Sequence, residues 1–122
     1  MLGALRGVSR GFSAVKQPKS SADIKKILKE NPLAVGWFTA SWCGPCKSVQ
    51  KHIEKMADDF KDQGVSVVKI DIDEHGDVAN EFEVQSVPTF FFLKHGKTVD
   101  SVVGASADRV KTALEKHLPP SK

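Results

Sequence analysis

The stretch Trp42-Cys43-Gly44-Pro45-Cys46-Lys47 holds both cysteines of the chain, and it restricts the fold more than any other. Two thiols separated by two residues close a small disulfide ring only if the backbone between them turns. Gly-Pro suits the junction where a strand ends and a helix begins. A Cys at a helix N-terminus faces unpaired N–H groups and the positive end of the helix dipole, and both favour the reactive thiolate. The motif therefore asks for a strand before it and a helix after it.

The pattern supplies both. Residues 33–39, Leu-Ala-Val-Gly-Trp-Phe-Thr, are nearly continuously apolar, as in a strand buried on both faces. Val49, Ile53, Met56, Ala57 and Phe60 then recur at helical spacing, which predicts a helix over 45–62 closed by Gly64. Upstream, Ser20 or Ser21 caps a helix over 20–31, with Ile24, Ile27 and Leu28 on one face and Asn31-Pro32 at its end. Downstream come a buried strand at 65–71 and a short helix within 73–82, so a parallel strand pair with a right-handed crossover is expected. Phe90-Phe91-Phe92-Leu93 reads as a central strand, 94–97 as a hairpin turn and 98–103 as an antiparallel return. A helix over 107–117 carries Val110, Ala113, Leu114 and Leu118 on one side, and Pro119-Pro120 stops it.

Composition narrows the function classes. A chain of 122 residues, 40% hydrophobic and 27% charged, builds one globular domain with a self-supporting core. Two cysteines are too few for a disulfide scaffold or a four-ligand zinc site, so the pair reads as redox-active and no metal or other cofactor is expected. Asp71-x-Asp73-x-His75-Gly76 faintly resembles a calcium loop, but Phe82 stands where its Glu is needed. His52, His75, His95 and His117 are scattered and are expected at the surface. Setting aside Arg6 and Arg10, 16 Lys and Arg face 15 Asp and Glu, and no basic stripe points to nucleic acid. No apolar run is long enough for a membrane span.

Residues 1–19 read as a segment ahead of the fold. They hold Arg6, Arg10, Ser9 and Ser13, and no acid precedes Asp23. Leu2, Leu5 and Phe12 fall at helical spacing, the pattern of an amphipathic mitochondrial transit peptide. Arg10-Gly11-Phe12-Ser13 looks like a cleavage site that would leave Ser13 first. The alternative is a disordered basic tail. The globular domain is then expected over 20–118, with 119–122 as a tail and the mitochondrial matrix as destination.

From residue 20 to 118 the chain resembles thioredoxins. Trp42-Cys43-Gly44-Pro45-Cys46-Lys47 is that family's active-site sequence in full. Val87-Pro88-Thr89 matches its cis-proline segment, Lys94-x-Gly96 and Val103-Gly104-Ala105 its last hairpin, and Lys69 with Asp73 its third-strand region. Phe38-Thr39-Ala40 before the motif and Lys69-Ile70-Asp71-Ile72-Asp73-Glu74 are similar to mitochondrial thioredoxins, including the plant o-type. The resemblance implies an α/β thioredoxin fold, a central mixed sheet of four or five strands flanked by helices. It implies a protein-disulfide reductase in which Cys43 is the nucleophile and Cys46, more buried, resolves the mixed disulfide. Trp42, Gly44, Pro45, Lys47 and Lys69 would support the site, and Trp42, Val87, Pro88 and Gly104 would bind substrate. Thioredoxin reductase and disulfide proteins such as peroxiredoxins are the implied partners of a monomer. The alternative is a thioredoxin-fold interaction subunit with idle thiols. Two positions depart from the family. Trp37 stands where a buried Asp is usual, and Lys51 where a proline kinks the active-site helix.

Overall fold

The computed structural model describes residues 14–120. It contains strands β1 (Val15–Lys16), β2 (Leu33–Thr39), β3 (Val65–Asp71), β4 (Thr89–Lys94) and β5 (Lys97–Val103). Four α-helices lie between and after them: α1 (Ser21–Glu30), α2 (Gly44–Phe60), α3 (Gly76–Glu81) and α4 (Ala107–Lys116). A 3₁₀ turn, Lys61–Gln63, follows α2 and ends at Gly64, whose φ of 80° is the left-handed stop expected of a glycine.

The five strands form one mixed sheet in the order β1-β3-β2-β4-β5. β1, β3 and β2 run parallel, and β4 and β5 are antiparallel additions. The β4–β5 turn is His95-Gly96, both with positive φ (49° and 86°), which suits the right-handed twist of a two-residue hairpin.

β2 lies between β3 and β4, and every one of its residues is buried. Because side chains alternate along a strand, it feeds two cores. Leu33, Val35 and Trp37 join Phe90 and Phe92 under α2 and α4, against Val49, Ile53, Val110 and Leu114. Ala34 and Phe38 join Val68, Ile70 and Leu93 under α1 and α3, against Ile24, Leu28 and Val78. The α1 cap is Ser20, whose hydroxyl accepts from the Asp23 N–H at 3.1 Å, as its sequence position predicts.

The sheet starts earlier than residue 20. Val15 is 8% exposed and pairs with Val67 of β3. The cause is the edge of β3, which β1 covers; a two-residue strand carries too little periodicity to be seen in sequence. The remainder of the expected transit peptide, residues 1–13, lies outside the described residues, as does part of the tail, residues 121–122. α2 runs unbroken through Lys51, where the proline is missing. Among the described residues no helix is long and apolar enough to cross a membrane.

His117 is not a free surface residue. Its Nε2 lies 3.0 Å from Asp100 Oδ2, joining the end of α4 to β5. The Ser101 N–H, and then the His117 ring, hold the Asp100 carboxyl below its ordinary 3.8. A lowered carboxyl pKa stabilises the fold above the ordinary value, and that stabilisation is lost as pH falls through the native one. Asp100→Asn is therefore expected to lower stability by up to about 1 kcal/mol at pH 7. The gap should narrow at pH 3; urea unfolding at both pH values measures it.

Candidate active site

The site is built where β2 hands over to α2. The Cys43 N–H donates to the Ala40 carbonyl at 3.1 Å, which folds the chain back at the end of the strand. Cys43 is then the N-cap of α2 with extended backbone (φ −89°, ψ 108°), and Pro45 lies in the first turn. The cap is made by sulfur: Cys43 Sγ accepts the Cys46 N–H at 3.1 Å. Cys43 and Cys46 are disulfide-bonded with Cα atoms 5.3 Å apart. One sulfur thus sits at the positive end of a 17-residue helix and accepts one of its unpaired N–H groups.

Both cysteines are covered in this oxidised form, Cys43 at 4% exposure and Cys46 at 2%. The expected contrast between an exposed and a buried thiol is therefore absent in area. It exists in surroundings. Cys43 Sγ lies 3.7 Å from the Val87 carbonyl oxygen. Cys46 lines a cleft of about 610 Å³ together with Lys47, Gln50 and Lys69. Ile72 and Val87 pack against the pair.

The sequence-predicted residues converge from four elements. The Val87–Pro88 peptide is cis, as the resemblance implies. The Pro88 carbonyl accepts the Gly104 N–H at 2.9 Å, tying the start of β4 to the end of β5. Gly104 has φ 108°, a conformation L side chains rarely adopt, and a Cβ built on it meets nothing within 4 Å. The space above it is open. Trp42 is 66% exposed, and its Nε1 donates to Asp73 Oδ2 at 2.8 Å. Gly44, Pro45 and Lys47 are exposed on the first turn of α2.

Trp37, on the β2 side, is wholly buried and stacks on Phe90 with ring centroids 6.1 Å apart. Its Nε1 is buried with no hydrogen-bond partner, a cost of roughly 1–3 kcal/mol. Lys69 Nζ lies 5.4 Å from the centre of its ring and donates to Gln50 Oε1 at 3.5 Å.

Sequence reading missed three features. Asp73 as the partner of Trp42 is 31 residues away, and only folding joins them. Gln50 faces the cleft because it stands one helical turn after Cys46, a spacing visible in sequence but silent about Lys69. His75, expected at the surface, is 7% exposed, with Nδ1 3.4 Å from Ser21 Oγ. The loop that carries it is drawn inward: Asp71 Oδ1 accepts the N–H groups of Asp73 and Glu74 at 2.8 and 3.3 Å. With that carboxylate so occupied, the calcium-like spacing is a turn. Among the described residues no group of three or more His, Cys, Asp or Glu is placed to hold a metal.

The thioredoxin family profile matches residues 15–118. The chain belongs to the thioredoxin family. It is 44% identical to thioredoxin H2 of Arabidopsis thaliana over 91 residues, 75% of this chain and 67% of that one. Thioredoxin NaTrxh of Nicotiana alata superposes with a TM-score of 0.81 at 42% identity, covering 88% of this chain and 95% of that one. Oxidised mitochondrial thioredoxin 3 of Saccharomyces cerevisiae gives a TM-score of 0.77 at 31% identity, covering 84% and 95%. With its Cys43–Cys46 disulfide at the strand–helix junction, this family member is a thiol–disulfide oxidoreductase that reduces protein disulfides.

The Gly104 geometry makes a stability test. Gly104→Ala is expected to cost about 1–2 kcal/mol, because a side chain is forced into a positive-φ conformation. Nothing nearby would clash, so the loss should appear in chemical denaturation with no change in the fold by circular dichroism.

Proposed function

We propose that Cys43 attacks and Cys46 resolves. The Cys43 thiolate attacks one sulfur of a partner disulfide, and the other sulfur leaves as a thiolate. The Cys46 thiolate then attacks Cys43 Sγ, and the partner's second sulfur leaves reduced. Two electrons pass to the partner and the internal disulfide remains. The observation that carries this assignment is the position of Cys43 Sγ at the helix cap, 3.7 Å from the Val87 carbonyl. A partner strand laid along Val87–Pro88 brings its own sulfur to Cys43, whereas Cys46 lines the cleft on the Lys69 side.

In this reading Trp42, Val87, Pro88 and Gly104 form the substrate platform. Trp42 offers an exposed indole held by Asp73, and Gly104 leaves room for a substrate backbone. Gly44 and Pro45 shape the first turn. Thioredoxin reductase recharges the disulfide, as for thioredoxins generally. Peroxiredoxins are the proposed substrates; a similar chain, 31% identical, belongs to a structure described as the thiol resolving mechanism of yeast mitochondrial 1-Cys peroxiredoxin via glutathione/thioredoxin systems. Among the described residues the exposed large hydrophobics are Trp42, Val99 and Val103; this small set supports a monomer. Cys46→Ser should accumulate mixed disulfides through Cys43, and Cys43→Ser should lose insulin-disulfide reduction by at least about a hundredfold. Failure of Cys46→Ser to trap any partner, with Cys43 still alkylatable, would count against the division of roles.

We further propose a mitochondrial-type thioredoxin, similar to the plant o-type, delivered to the matrix. The support is the arginine-bearing, acid-free stretch before Asp23. Cleavage before Ser13 keeps Val15 and Lys16, which the sheet uses. Residues 1–20 fused to a fluorescent reporter should enter mitochondria; a reporter that stays in the cytosol removes the assignment.

A further inference from the structure

Among the described residues Trp42 is the most exposed large hydrophobic side chain, and its indole is fixed by one hydrogen bond, to Asp73 Oδ2. Asp73 is itself exposed. A bond between two exposed groups competes with water, so it holds the indole only if the Asp73 backbone is already in place. That backbone belongs to the loop joining β3 to α3, and the loop is anchored at both ends.

At the near end the Ile72 N–H donates to the Thr39 carbonyl at 2.9 Å, and Asp71 Oδ1 accepts the Asp73 N–H at 2.8 Å. At the far end stands His75, 7% exposed, whose N–H donates to the Asp71 carbonyl at 2.9 Å. Among the described residues its ring has one hydrogen-bond partner, Ser21 Oγ, 3.4 Å from Nδ1. Ser21 has a single hydroxyl hydrogen, which it donates to Asp77 Oδ1 at 2.8 Å. That bond is the main cause holding the Asp77 carboxyl below its ordinary 3.8. Ser21 Oγ therefore meets Nδ1 with a lone pair, and the ring donates to it. One hydroxyl thus ties the end of the loop and the first turn of α3 to the start of α1. The other supports of α3 are few. It is too short to hold itself, and no side chain caps its N-terminus. Val78 fixes its depth in the core. The Lys25–Glu81 ion pair at its other end is exposed and contributes little.

We propose that Ser21 is a positioning residue for the substrate platform: through His75 and Asp77 it holds the loop that presents Asp73, and so keeps the Trp42 indole set for a partner. This rests on the platform reading given above. Ser21→Ala leaves a buried imidazole N–H without an acceptor, and such a group turns to water rather than stay unpaired. The loop moves with the ring, and the bond from Trp42 to Asp73 opens. α1 itself is unharmed, because its cap is Ser20 and Ala is a better helix former than Ser.

The test pairs insulin-disulfide reduction over a range of insulin concentrations with the exchange of the Trp42 indole N–H with water, read by NMR on isotope-labelled protein. Trp42→Phe assigns the signal. Ser21→Ala is expected to raise KM about threefold with kcat unchanged and to speed indole exchange about tenfold. Ser21→Thr, which keeps the hydroxyl, should restore both. Asp73→Ala should act in the same direction at least as strongly, and Ser21→Ala added to it should change nothing further, since the two act in series. Lys25→Met, which removes only the exposed ion pair, should match wild type. Normal KM and exchange in Ser21→Ala, or effects that add to those of Asp73→Ala, overturn the proposal and leave the platform reading intact. Unchanged KM in both Trp42→Ala and Asp73→Ala would instead overturn the platform reading.

Discussion

The double burial of β2 is the constraint on which the rest depends. Its seven residues are all buried, and its two neighbours occupy both of its hydrogen-bonding edges. Such a strand cannot slip by one residue without exchanging its two cores, because alternate side chains face opposite layers. Its C-terminal end is therefore held in a defined place, and the turn at Ala40 starts α2 from there. The disulfide inherits this rigidity. A helix packed by Val49, Ile53 and Met56 against the sheet has its N-terminus at Cys43, where the sulfur caps it.

The same burial explains the tolerance for Trp37. An indole stacked on Phe90 adds apolar contact in the α2–α4 core, where a carboxylate would need a partner or a proton. The indole N–H is left without a hydrogen-bond partner. Trp37 and Lys69 face one another as a cross-strand pair of β2 and β3. The lysine lies over the ring and reaches Gln50.

Much of the fold was legible in the residues themselves. The apolar run at 33–39, the helical spacing after Pro45, the capping Ser20 and the Gly96 turn each carry a local physical reason, and the corresponding elements formed within a residue or two of the expected ends. β1 was not legible, since two residues have no period and gain stability only from the β3 edge. The inward turn of His75 was also hidden, because it depends on Ser21 of α1 and on the Asp71 turn together.

The site divides in the same way. The sequence by itself determined the chemistry: two thiols across a turn-prone Gly-Pro, with a helix following, make a redox pair because the short loop and the helix N-terminus act locally. Only the tertiary structure decided which groups surround each sulfur. Val87 at Cys43, Asp73 under Trp42, Gly104 across from Pro88, and Lys69 with Gln50 beside Cys46 come from separate elements that meet at one end of the sheet. Their distances are set by strand register and helix packing, which are sums of many weak long-range contacts that no short window of sequence records.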